Sequence, residues 1–181
     1  MAQNQDLILL GLLKEGPKHG YEIKRLIRKV LGNFTSVETT SIYYPLAKLE
    51  KEGLVVKKKG RKGKYPEKYV YHLTKKGDRE FKMLLNKSFL RVQRPHMDLD
   101  LSLFFLPLVN PSIARRRLSN KLNGLKNVLR WLELQKKTLE RKNASYHLQA
   151  ITRHNIEGLK TELKFISNLI KNIKRTNKKT K

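Results

Sequence analysis

Residues 36–73 read SVETTSIYYPLAKLEKEGLVVKKKGRKGKYPEKYVYHL, and the order of elements in this stretch decides the fold. Ile42, Leu46 and Leu49 recur at steps of four and three, which puts them on one face of a helix, and Gly53 closes it. Leu54-Val55-Val56 and Lys68-Tyr69-Val70-Tyr71-His72-Leu73 are β-prone. Between them, residues 57–67 hold two glycines and a proline and read as the loop of a hairpin.

Working outward, Leu7, Leu9, Leu10, Leu12 and Leu13 form a dense apolar segment broken by Gly16-Pro17. Tyr21, Ile23, Leu26, Ile27, Val30 and Leu31 follow at helical spacing, opposite Lys24, Arg25, Arg28 and Lys29, with Gly32-Asn33 as a stop. Residues 34–38 read as a turn. Helix, helix, helix, strand, loop, strand is the order of a winged helix-turn-helix. Thr74 is placed to cap a fourth helix reaching about Phe89.

A composition shift at residues 91–97 divides the chain into a winged-helix domain over 1–90 and a helical domain over 91–181. In the second part, Asp98 to Leu106 is a short helix ended by Pro107, and Asn110-Pro111 opens the next. Leu118, Leu122, Leu125, Leu129, Leu132 and Leu139 then alternate in steps of four and three; Ile156, Leu159, Leu163, Ile166, Ile170 and Ile173 repeat the pattern. Two such helices imply an antiparallel hairpin with coiled-coil-like seams. A hairpin alone buries little, so the seams formed by Leu118, Leu122, Leu125, Leu129, Leu132, Leu159, Leu163, Ile166 and Ile170 are expected to meet a second copy. The tail, KRTNKKTK, has no apolar period. The expected fold class is mainly α with a small β wing: a winged helix-turn-helix domain followed by an antiparallel helical dimerisation arm.

The 181 residues include 41 Lys+Arg against 15 Asp+Glu, a formal net charge of +26. Residues 1–90 carry 20 basic and 9 acidic side chains, and residues 91–181 carry 21 and 6, so both parts are basic. So much like charge points to a polyanionic partner. The absence of cysteine removes thiolate and disulfide chemistry and suits a cytoplasmic location. No run of about 20 apolar residues exists to span a membrane. The five histidines and the Asp98/Asp100 pair show no metal-ligand spacing, and neither a nucleophile motif nor a phosphate-binding glycine loop occurs. Neither an enzyme nor a cofactor-binding protein is expected.

Gly16-Pro-Lys-His-Gly-Tyr-Glu-Ile23 resembles the G-P-x-H-G-Y-E-I signature of the PadR family of transcription regulators at every fixed position. Ile42-Tyr43, Leu46 and Leu49-Glu-Lys-Glu-Gly53-Leu54-Val55 are similar to that family's pattern around the third helix, and Tyr71, Leu73-Thr74 and Gly77 to the close of its wing. The resemblance runs from about Leu7 to Gly77 and implies a homodimeric regulator, more often a repressor, of the type with a C-terminal helical arm. Two departures stand out. The proline that usually follows the family tyrosine comes one place later here, as Pro45 after Tyr44, which predicts a third helix starting near Ser41 or a kink. The arm, with Arg115-Arg116-Arg117, is unusually basic.

On this reading the third helix enters the major groove of double-stranded DNA and presents Ser36, Thr39, Thr40, Ser41, Tyr43, Tyr44 and Lys48. The hydroxyls among them are also good local caps. Lys57, Lys58, Lys59, Arg61, Lys62, Lys64 and Lys68 of the wing meet phosphates, which position without specifying sequence. Tyr21, Glu22 and His19 read as structural. Trp131, the only tryptophan, flanks the Leu129/Leu132 seam; it packs an interface or forms a platform for a small aromatic effector, the second being what the resemblance implies. The alternatives to a sequence-specific regulator are a non-specific architectural DNA coat, for which charge alone would suffice, and an RNA-binding protein.

Overall fold

The computed structural model describes residues 2–29, 42–60, 68–92 and 98–179. Contacts divide the chain into two compact units, Met1–Gln93 and Arg94–Lys181.

In the first unit, α1 (Ala2–Lys14), the two-residue strand β1 (Lys18–His19), α2 (Gly20–Lys29) and α3 (Tyr43–Lys51) are followed by β2 (Val55–Gly60), β3 (Lys68–Leu73) and α4 (Lys75–Leu90). This is the expected winged helix with one addition: β1 pairs antiparallel with β3, giving a sheet in the order β1-β3-β2. Leu9 and Leu10 of α1, Ile23 of α2 and Leu46 and Leu49 of α3 are fully buried together, with Tyr71 of β3 beside them. Each such aliphatic side chain contributes roughly 1.5–3 kcal/mol relative to an exposed one. Burial pushes the Tyr71 phenol above its ordinary pKa, with Glu50 adding to the effect.

Helix α3 begins at Tyr43, two residues after Ser41, and Ile42 occupies its N-cap without a side-chain cap. Pro45 therefore falls in the first turn, where its missing N–H has no helical partner to lose. The shifted proline causes no kink; it is buried in the core-facing side of the helix. Gly53 ends α3 at φ +71°, a conformation that favours glycine.

Thr74 caps α4 by accepting from the Gly77 backbone N–H at 3.0 Å. Its own N–H donates to the Leu54 carbonyl at 3.1 Å. A Cβ on Gly77 would run into that carbonyl oxygen and lie 2.8 Å from Cδ1 of Leu73. Farther along α4, Asp78 pairs with Lys14 of α1 and with Lys82 at 2.9 Å, and these two cations, Lys14 first, hold its carboxyl below the usual carboxylate pKa.

The second unit contains α5 (Asp98–Phe104), a 3-10 turn over Leu106–Leu108, α6 (Pro111–Arg141) and α7 (Tyr146–Lys179). Asn110 caps α6 by accepting from the Ser112 N–H at 2.9 Å, with Pro111 at the first position. Asn143, at φ 45°, turns the chain so that α7 folds back along α6. Leu99 of α5, Leu118 of α6 and Ile166 of α7 form the buried centre, and Lys160 reaches Glu133 across the two long helices at 3.1 Å. No described helix is long and apolar enough to cross a membrane.

Two glycine substitutions should act in opposite directions. Gly77→Ala is expected to destabilise the first unit by at least roughly 1–3 kcal/mol, because the new methyl meets backbone. Gly124→Ala, in α6 with open space around its Cβ position, should stabilise by up to about 1 kcal/mol. Urea unfolding of the two variants checks this; a neutral Gly77→Ala would contradict the packing at Leu54.

Candidate nucleic-acid interface

The eight residues Gly16 to Ile23 have separable structural roles in this fold. His19 lies on β1, opposite Val70, and its Nδ1 is 3.0 Å from the Tyr69 carbonyl oxygen. The His19 N–H donates to Glu22 Oε2 at 2.8 Å, satisfying a donor at the start of α2. Tyr21 stacks on the His19 ring with centroids 5.6 Å apart. Gly20 passes so close to Tyr43 that an added Cβ would lie 3.0 Å from its ring. Ile23 fills the core.

As a result, Tyr21 of α2, Tyr43 of α3 and Tyr69 of β3 surround one small cleft of about 240 Å³ with His19, Gly20 and Tyr71. All three tyrosines are exposed at the surface. The start of α3 thus stands beside the wing. Tyr43 is 56% exposed and Tyr44 79%, while Pro45, Leu46 and Leu49 face inward. Ala47 and Lys51 continue the exposed side of the helix.

The ladder registers Lys57 with Tyr71, Lys58 with Val70, Lys59 with Tyr69 and Gly60 with Lys68. Alternation therefore puts Lys57 and Lys59 on the face of the tyrosines and Lys58 on the opposite face. The Lys57 ammonium sits 3.8 Å from the centre of the Tyr69 ring, a cation–π contact. The basic strand is in this way split between two directions, and one of its charges is already steadied by an aromatic ring.

Lys48, expected among the groove-facing residues, turns back instead. Its Nζ donates to Asp6 Oδ2 of α1 at 2.8 Å and lies 3.9 Å from Glu52. The hydrogen bond to Asp6 raises the Lys48 pKa. This pair ties α3 to α1 and leaves Lys48 less free to meet a phosphate than the strand lysines. Ser36, Thr39, Thr40, Ser41, Arg61, Lys62 and Lys64 lie outside the described residues, as does the side chain of Lys68.

In the second unit, Leu118, Leu132 and Ile166 are buried by the chain's own helices and have no surface left to offer. Leu122, Leu125, Leu129, Leu159, Leu163 and Ile170 are half-buried. Trp131 remains 40% exposed, and Val128 and Leu134 on the same helix are exposed too. Among the described residues, no group of three or more His, Asp or Glu side chains is placed to hold a metal ion.

Residues 9–83 match the transcriptional regulator PadR-like family. The negative transcriptional regulator PadR of Bacillus subtilis is 38% identical over 72 residues, which span 40% of this chain and 40% of that protein's own length. The fold is similar to that of Bacillus subtilis PadR in complex with operator DNA, at 24% identity, 93% of this chain, 98% of that chain and a TM-score of 0.74. It is also similar to the same protein in complex with p-coumaric acid, at 22% identity, 96% and 97% coverage and a TM-score of 0.66.

The Lys48–Asp6 pair yields a pH test. A lysine pKa raised by folding contributes stability below its unfolded value and loses that contribution as pH rises through the folded one. Asp6→Asn should cost no more than about 1 kcal/mol at neutral pH, since Lys48 is partly exposed. It should also flatten the loss of stability above about pH 10. Urea midpoints across pH 7–11 measure both, and an unchanged alkaline limb in the variant would remove the pair from this role.

Proposed function

We propose, for a chain that belongs through residues 9–83 to the PadR-like family of transcriptional regulators, a cytoplasmic homodimer that binds double-stranded promoter DNA in a sequence-specific manner and represses transcription. The observation that carries this reading is the convergence of the exposed start of α3 with the basic wing strand on one aromatic cluster. One α-helix fills a major groove, and a neighbouring cationic ribbon suits the flanking phosphates. A sugar–phosphate backbone running past Tyr21, Tyr43 and Tyr69 would meet hydroxyls from three elements.

Tyr43 and Tyr44, with Ser36, Thr39, Thr40 and Ser41 preceding them, are assigned to reading bases and adjacent phosphates. Lys57, Lys58 and Lys59, with Arg61, Lys62, Lys64 and Lys68, are assigned to phosphate. Lys48 moves to a supporting role. A second copy is placed against the half-buried and exposed apolar residues of the helical arm. Two-fold symmetry sets two α3 helices about 34 Å apart and implies an inverted-repeat operator. The Bacillus subtilis relative, named a negative regulator and solved with operator DNA, supports this choice over a general DNA coat. Its complex with p-coumaric acid supports release by a small aromatic effector, for which Trp131 is the assigned platform.

Two outcomes are expected. On DNA footprinted upstream of its own gene, Tyr44→Ala should weaken specific binding by roughly 1–3 kcal/mol with little change on random duplex. Lys58→Ala should weaken both equally and lower the slope of log K against log salt by about 1. A wild-type ratio of specific to random affinity far below about 10³ would favour the architectural coat. If Trp131 is the effector platform, its fluorescence should shift on adding p-coumarate at concentrations that release DNA; release without any spectral change would move the effector elsewhere.

A further inference from the structure

The second unit holds a cavity of about 290 Å³ between α5, the 3-10 turn and the first turns of α6. Buried Leu99, Ala114 and Leu118 line it together with the more exposed Leu103, Leu106 and Ile113. Its apolar wall is wholly aliphatic; no aromatic ring takes part. Two cations, Arg117 and Lys121, are also in its lining. They are one helical turn apart on α6 and so share a face. Neither has a carboxylate partner among the described residues. Lys121 is half-buried and Arg117 exposed, the disposition of long side chains that lay their stems on apolar surface and keep their charges at a rim.

From this arrangement we infer a binding site for a free medium-chain alkyl carboxylate, with its tail in the aliphatic cavity and its carboxylate between Arg117 and Lys121. The walls suit a flexible chain better than a flat ring, which gains most from aromatic neighbours. If a methylene fills about the share of a liquid water, ~30 Å³, the cavity takes roughly eight to ten carbons. A second copy of this chain is a poorer occupant. It would bring an arm with 21 basic and 6 acidic residues toward two uncompensated cations. The site is separate from Trp131, which lies about 20 Å farther along α6 at 1.5 Å per residue.

Calorimetry on the full chain without DNA tests the site independently of promoter binding. Hexanoate, octanoate, decanoate and dodecanoate are the probes, with 1-decanol as the uncharged control. Affinity is expected to rise about fourfold per methylene and to level off near ten carbons, with one ligand per protomer. Arg117→Ala/Lys121→Ala should weaken decanoate at least tenfold and leave decanol unchanged. Arg115→Ala/Arg116→Ala, which removes the same charge from positions outside the cavity, should leave decanoate affinity intact. Circular dichroism confirms that each variant is folded. Equal losses in the two double variants would reduce the effect to general charge and overturn the site. So would affinity that keeps rising past twelve carbons, or no decanoate binding at all. Decanoate that splits a dimer in sedimentation would make the cavity the seat of a second copy, and flotation on phosphatidylglycerol vesicles lost only in Arg117→Ala/Lys121→Ala would make it a membrane contact; either result overturns the free-ligand site.

Discussion

The carbonyl oxygen of Leu54 is the point on which the first unit depends. It stands just after α3 and just before β2, and it accepts the Thr74 N–H between β3 and α4. Thr74 in turn caps α4, while its hydroxyl lies 2.8 Å from the Gly53 carbonyl. Two chain reversals separated by 20 residues are thereby locked together. An unmade bond at such a part-buried carbonyl would leave its desolvation uncompensated, at about 1–3 kcal/mol. The wing and α3 therefore cannot shift independently near this junction. For a protein whose surface must match a rigid duplex on two neighbouring elements, that coupling matters more than the strength of any one contact.

Much of this was legible in the residues. The 3.6-residue period of Ile42, Leu46 and Leu49, the β-prone run at 68–73, and the caps Thr74 and Asn110 all describe local events, and local events leave local signatures. Strand β1 left none. Two residues cannot show alternation, and Lys18 and His19 become a strand only because β3 is there to pair with them. The start of α3 was displaced for a related reason. Thr39, Thr40 and Ser41 are better caps than Ile42 by propensity, yet Ile42 is buried and anchors the helix start. Core packing outweighed a cap worth about 1 kcal/mol.

The candidate site was less legible because it is made of contacts between distant segments. Sequence spacing puts Lys48 next to Tyr44 on the outer side of α3, but spacing cannot show Asp6, 42 residues earlier, at 2.8 Å from its ammonium. A carboxylate in hydrogen-bond range competes directly with a phosphate for the same charge. Nor could composition reveal that Tyr69 lies beneath Lys57 or that His19 bonds the Tyr69 carbonyl. The one available signal was the registered alternation of lysine and tyrosine across the hairpin, which puts aromatic rings on the same face as cations.

The basic wing and the GPKHGYEI stretch then belong to a single device. A cationic strand alone would bind any polyanion and hold no fixed direction. Here His19 fastens the base of β3 to the start of α2, and the missing Cβ of Gly20 lets Tyr43 pack down between them. The ring of Tyr43 is both a surface group and a spacer that sets where α3 begins. Its position is thus determined by the same eight residues that carry no charge toward the outside except Lys18, whose ammonium faces Glu15 at 3.8 Å. A motif that looks as if it should touch a ligand acts mainly by setting the distance between the groups that do, and this is why its residues are so particular in size while contributing so little exposed cationic surface of their own.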